Sequence, residues 1–228
     1  MSQAIKEPSA IGRAVRVAVA AELARAGFLD RIETFATALA LWGSKLNLTA
    51  APNEPAEIAF HVIDSLAPLM LASRDDGAAL RDAFATKMRV LDLGSGAGFP
   101  GLILASACDA NFVLLEARRK RASFLTISAA EMALANVRVE SSRTDSIVLE
   151  PVFDVVTARA FAEPATVFKT AAVALKPGGV VMLYASPSQR PAIEAACVGG
   201  FESPTFFAYE VARGHTQVPH LLVRAGRS

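Results

Sequence analysis

The sequence predicts an α/β fold: a Rossmann-like, mostly parallel seven-stranded sheet behind an all-helical N-terminal extension. Three observations carry this. Up to residue 87 the apolar residues recur at helical spacing, and no strand pattern intervenes. Beyond it, short apolar runs alternate with helical segments, the pattern of parallel strands joined by crossover helices. At the join, Val90-Leu91-Asp92-Leu93 runs straight into Gly94-Ser95-Gly96-Ala97-Gly98-Phe99-Pro100-Gly101, a buried strand opening into a glycine loop of the kind that cradles nucleotides.

The first unit, residues 1–87, is expected to hold helices over Ile11 to Ala26, Leu29 to Trp42 and Pro55 to Ala72, with a short one over Ala78 to Phe84. Arg16, Glu22 and Arg25 interrupt the alanine-rich stretch from Val15 to Ala26, so it reads as neither a membrane span nor a signal segment. The second unit, residues 88–228, is expected to place strands at 88–93, 111–116, 136–141, 152–158 and 178–185. A final strand pair follows at 201–211 and 221–224. Pro100 suits the start of the helix after the glycine loop, and Lys176-Pro177-Gly178-Gly179 reads as a turn that launches the fifth strand.

Composition bounds the partners. With 53% apolar and 20% charged residues among 228, the chain has ample material for a core. The formal net charge of +1 gives no general polyanion signal, so any RNA contact must come from a local patch. Cys108 and Cys197 lie far apart, with no paired spacing for a metal or redox motif, and a reduced cytoplasm is the simple expectation. Zinc at His61 is disfavoured because no second histidine or cysteine cluster supplies further ligands.

Gly96, Gly98 and Gly101 match the dinucleotide pattern G-x-G-x-x-G letter for letter. Asp92 argues for a different nucleotide. A carboxylate two residues before the first glycine repels a pyrophosphate and favours the ammonium and sulfonium of S-adenosylmethionine. Glu116, at the end of the second strand, can accept both hydroxyls of a ribose and so serves either cofactor.

Several further motifs, in order, resemble the RsmG family, the glucose-inhibited division protein B group. They are Trp42 with Asn47-Leu48-Thr49-Ala50, His61-Val62-Ile63-Asp64-Ser65-Leu66, the loop from Leu91 to Gly101, Leu115-Glu116 with Lys120-Arg121 and Phe124-Leu125, Arg159-Ala160-Phe161, and Lys176-Pro177-Gly178-Gly179. The resemblance spans about residues 41 to 186. It implies a class I S-adenosylmethionine-dependent methyltransferase that modifies N7 of a guanine in 16S ribosomal RNA, in the 30S subunit or its precursor. Two departures stand out: Gly43 replaces the usual asparagine after the tryptophan, and the last strand lacks the arginine often found near His220.

The resemblance implies cofactor roles for Gly94, Phe99, Thr144, Asp145 and Arg159, beside the Asp92, Gly96, Gly98 and Glu116 already singled out. Phe99 would close over an apolar part of the cofactor. Thr144 and Asp145 would bond the adenine edge and its amine, and Arg159 stands at the carboxyl edge where open α/β sheets bind ligands. For the RNA, Asn47, His61 and Asp64 are candidates, each with a bland alternative as a cap or a structural polar group. Arg118 and Arg119 begin a basic quartet at a helix start, where positive charge is unfavourable without an anion nearby.

Guanine N7 carries a lone pair and no proton, so its methylation needs alignment rather than a general base, and no catalytic residue is assigned. A small-molecule methyltransferase, a nicotinamide oxidoreductase and a non-catalytic cofactor-binding module remain open at this level.

Overall fold

The computed structural model describes residues 9–19 and 26–228. Seven strands form one sheet: β1 (Arg89–Leu93), β2 (Asn111–Leu115), β3 (Val137–Glu140), β4 (Phe153–Arg159), β5 (Leu175–Ala185), β6 (Thr205–Arg213) and β7 (Thr216–Gly226). Their order is β3-β2-β1-β4-β5-β7-β6, and only β7 runs against its neighbours. Strand order reverses between β1 and β4. The crevice outside the carboxyl ends of these strands is where an open α/β sheet binds its ligand.

Period-two alternation divides the core between the two sheet faces. Val90 and Val155 point into one apolar cluster with α5 (Gly101–Ala107), α6 (Arg119–Glu131) and the N-terminal helices. Leu91, Leu93 and Val156 point into the other, with α7 (Pro164–Ala174) and α8 (Arg190–Ala196). The first cluster runs unbroken from Ile11 and Phe35 to Val155 and Leu222, so the helical segment and the sheet share a core.

Helix α1 covers Ala10–Ala18, and 20–25, which the longer expected helix includes, lies outside the described residues. Helix α2 (Phe28–Leu46) runs a turn beyond Trp42 and stops at Asn47, whose left-handed backbone (φ 50°) ends it. Gly43 explains its own departure from the family pattern. A Cβ there would lie 2.2 Å from Cβ of Pro52, so no side chain fits.

Three expectations need correction. The stretch from Pro55 to Ala72 is two helices, α3 (Pro55–Ser65) and α4 (Ala67–Ala72), because Pro68 has no N–H to continue the ladder and its ring crowds the preceding turn. The short helix placed at Ala78 to Phe84 is a 3-10 turn over Asp75–Leu80. Lys176 to Gly179 is not a turn ahead of the strand: β5 starts at Leu175, and these residues form a bulge where pairing with β4 jumps from Phe153–Leu175 to Val155–Val180.

Asn136, just before β3, fastens the α5 to β2 connection. Its amide donates to the carbonyls of Ala105 (3.0 Å), Cys108 (3.3 Å) and Ala110 (2.9 Å). Asn136→Ala strands these acceptors and is expected to cost about 1–3 kcal/mol, read as a lower urea midpoint at unchanged slope.

Candidate active site

The glycine loop is held from below by a buried acid. Asp92 is fully buried; its carboxylate accepts Oγ1 of Thr157 at 2.7 Å and the N–H of Gly101 at 3.3 Å. Burial pushes its pKa above the ordinary carboxylate range, and these donors oppose that by favouring the charged form. Gly101 opens α5, so the protein's own carboxylate meets the helix start where a dinucleotide-binding fold would seat a pyrophosphate. The structure thus places Asp92 beneath the loop rather than in an open cavity. The loop is closed from the other side by Leu115, whose carbonyl accepts the N–H groups of Gly94 (2.8 Å) and Ser95 (3.2 Å).

Beside the loop opens a cleft of about 350 Å³, lined by Gly94, Leu115, Glu116, Arg118, Arg121, Thr144 and Phe161 among others. Glu116 forms its floor. One oxygen accepts the N–H of Gly96 at 2.9 Å and the other that of Arg118 at 2.8 Å, so a single carboxylate ties the loop to the start of α6. Each oxygen keeps a further lone pair for a hydroxyl. Gly94 (φ 67°) must be glycine, since a Cβ would come within 2.6 Å of the Phe161 ring. At Gly96 (φ 57°) an added Cβ would meet only the Gly94 carbonyl oxygen, at 3.7 Å. The Glu116 carboxylate, the glycine backbone and the Phe161 ring suit the ribose and base of a nucleoside. They therefore fit the nucleoside half of S-adenosylmethionine.

The other expected residues divide. Gly98 sits deep in the loop against Leu102. Asp145 does not line the cleft: it is exposed, and three hydrogen bonds from Arg143 with a fourth from Ser146 hold its pKa down near 2. Phe99 is buried away from the cleft, with Phe35 and His61 rings at 5.3 and 5.1 Å and the Arg159 guanidinium 5.0 Å over its face.

Arg159 turns from the cleft toward α3 and joins the residues expected to meet RNA. Its Nη1 donates to Asp64 at 2.7 Å, and the other Asp64 oxygen accepts Oη of Tyr209 at 2.6 Å, with His220 Nδ1 at 3.6 Å. Asp64 is 3% exposed in its side chain, so its charge is compensated internally. His61 faces the same knot, 3.5 Å from Glu57, which a bidentate Arg213 also grips. Burial, reinforced by Arg159, pulls the His61 pKa down to about 4, against the opposing pull of Glu57 and Asp64. Asn47 does not line the cleft, but its carbonyl accepts a hydrogen bond at 2.5 Å from Arg121, which does.

Sequence reasoning missed Thr157, Tyr209 and His220. Thr157 had a signal: it is a polar residue within the apolar run of β4, two positions after Val155 and so on the same face, and it registers against Asp92. Tyr209 and His220 meet only because β6 and β7 pair, and nothing local announces that.

The model of the GidB family, described as rRNA small subunit methyltransferase G, matches residues 29–198. The chain belongs to this family. Among its relatives are proteins named ribosomal RNA small subunit methyltransferase G. That of Wolinella succinogenes is 35% identical over 157 residues, covering 68% of this chain and 74% of the relative. That of Neisseria gonorrhoeae is 40% identical over 152, covering 66% and 67%. That of Acidiphilium cryptum is 37% identical over 171, covering 74% and 73%. Solved structures share the fold: a predicted O-methyltransferase from Agrobacterium tumefaciens (TM-score 0.54, 23% identity, 62% of this chain and 74% of that one) and a tRNA (m1A58) methyltransferase from Aquifex aeolicus (TM-score 0.52, 17% identity, 66% of each). The GidB family chain therefore carries its glycine loop on a class I S-adenosylmethionine-dependent methyltransferase fold.

The depressed pKa of His61 makes stability depend on acid. Unfolded, it titrates near 6.5; folded, near 4, so between these values the unfolded chain binds the extra proton. Its stabilising share is complete above about pH 6.5 and is lost as pH falls toward 4, at up to about 1.4 kcal/mol per pH unit. His61→Gln should remove this slope. Urea titrations of both proteins across that window check it, and superimposable acid limbs would contradict it.

Proposed function

We propose that this chain transfers the methyl group of S-adenosylmethionine to N7 of guanine 527 in 16S ribosomal RNA, within the 30S subunit or its precursor. The observation that carries the reading is the cleft floored by Glu116 at the sheet's switch point, in a chain whose family acts on small-subunit rRNA. When bound, S-adenosylmethionine supplies an electrophilic methyl on a sulfonium.

The chain's residues then bind and orient. Glu116 accepts the ribose hydroxyls, Gly94 and Gly96 let the cofactor approach the backbone, and Gly98 shapes the loop below them. Thr144 meets the adenine edge from the cleft wall, and Asp145 joins there only if it exchanges Arg143 for the adenine amine. Asp92 contributes by holding the loop through Gly101. Phe99 and Arg159 set the wall between the loop and α3, where Asp64 and His61 anchor the helix that faces the RNA. Asn47, Arg118 and Arg119 take the RNA backbone.

No base is required, because N7 attacks with a lone pair and releases no proton. His61, kept neutral by burial, is consistent with this. Incubating the protein with labelled S-adenosylmethionine and undermodified small subunits, then mapping the labelled base, tests the reading. Label on another atom or on no RNA would overturn it.

Glu116→Ala is expected to weaken S-adenosylmethionine binding by about 1.5–3 kcal/mol, and Gly96→Asp to abolish it by filling the cradle while the fold persists. Calorimetry on folded variants decides both. Replacing Arg118 and Arg119 with glutamine should lower rRNA affinity and flatten its salt dependence by about two slope units, with cofactor affinity near wild type. Parallel salt plots would show those charges to be merely solvated.

A further inference from the structure

Trp42 is the only tryptophan of the chain, and it is 38% exposed on α2, next to a 59% exposed Leu41. Leu39, one turn back on the same side of α2, is fully buried, so Trp42 lies at the edge of the core face of the helix and is only partly covered. The ammonium of Lys45 sits 5.0 Å from the centre of the Trp42 ring. A partly exposed indole covered only by a long lysine side chain suits a ligand that is flat, apolar on its faces and negatively charged along its edge, for which Lys45 can give up its place over the ring.

The position matters as much as the chemistry. Five residues on from Trp42, about 7.5 Å along a helix axis, Asn47 ends α2 and accepts Arg121 from the cleft wall. The tip of α2 is thereby fastened to the cleft rim. Arg118, Arg119 and Lys120 are exposed at the start of α6. Among the described residues, no carboxylate pairs with Lys45 or with any of Arg118 to Arg121. Glu116, the acid next to them in sequence, is turned inward to two backbone N–H groups. Positive charge at a helix start is disfavoured by the helix dipole and calls for an external anion.

We infer that the Trp42 indole is a stacking platform for an unpaired base of the RNA substrate, with Lys45 and the basic start of α6 holding the adjoining phosphates. This rests on the proposed function and adds where the RNA lies. Stacking needs an open base face, so the RNA must be locally single-stranded at this point. A second consequence is specificity by shape: the platform accepts any base, and the methylated position is chosen by distance from platform to cleft.

The lone tryptophan makes the test direct. Intrinsic fluorescence is followed as unmodified, protein-free 16S rRNA transcript is added, with filter binding in parallel. Quenching that tracks RNA binding is expected, with no change on adding S-adenosylmethionine alone. Trp42→Ala should weaken transcript binding about fivefold to a hundredfold, Trp42→Phe should recover much of that loss, and both should bind the cofactor normally. RNA binding and methylation by wild type with unquenched fluorescence would overturn this inference and leave the proposed function standing. The same holds if S-adenosylmethionine alone quenches, or if Trp42 matters only for protein-containing subunits, which would assign the indole to a ribosomal protein. No RNA binding or methylation by wild type, on transcript or on subunits, would overturn both.

Discussion

A fully buried carboxylate holds the site together. Asp92 leaves water at the end of β1, which costs several kcal/mol for an unpaired ion, and it is tolerated because Thr157 and the Gly101 N–H donate to it. Those two bonds join β1, β4 and α5 at one point. A Cβ on Gly101 would come 2.6 Å from the Asp92 carboxylate, so the close approach demands glycine. With α5 fixed, the loop between Gly94 and Pro100 has little freedom, and Glu116 clips it from the neighbouring strand.

A charged pair ties the helical segment to this frame. Asp64 on α3 reaches Arg159 at the end of β4, while Tyr209 Oη meets Asp64 and Tyr184 Oη reaches the Ser65 carbonyl at 2.7 Å. A knot so thoroughly buried is retained at a desolvation cost, and its worth lies in registering α3 over the sheet. Burial, with the Arg159 charge added, keeps the neighbouring His61 neutral against the opposing pull of Glu57 and Asp64. Arg159 also lies over Phe99, whose ring meets that of His61, so the end of β4, the glycine loop and α3 are joined through these contacts.

Much of this was legible from local patterns. Apolar runs ending in an acid located β1 and β2 and the loops at their carboxyl ends, because both faces of these strands are covered and only their carboxyl tips meet the crevice. Glycines that admit positive φ marked the cradle. The resemblance named residues without direction: Asp145, Phe99 and Arg159 were expected around the cofactor, and in the structure Asp145 is paired with Arg143, Phe99 is packed among rings, and Arg159 turns to Asp64. Side-chain direction follows from which neighbours compete for a group, and those neighbours are distant in sequence.

The sequence by itself determined the order of elements, the glycine loop, the Glu116 carboxylate and the family, since each is written in spacing over a few residues. Tertiary structure alone decided that Asp92 lies under the loop, that Asp64 and Arg159 neutralise each other, and that Tyr209 and His220 complete their knot. The reason is physical: Asp64 and Tyr209 are 145 positions apart, and only strand pairing and helix packing bring their oxygens to 2.6 Å. Charge balance and burial are properties of that proximity, which no local pattern encodes.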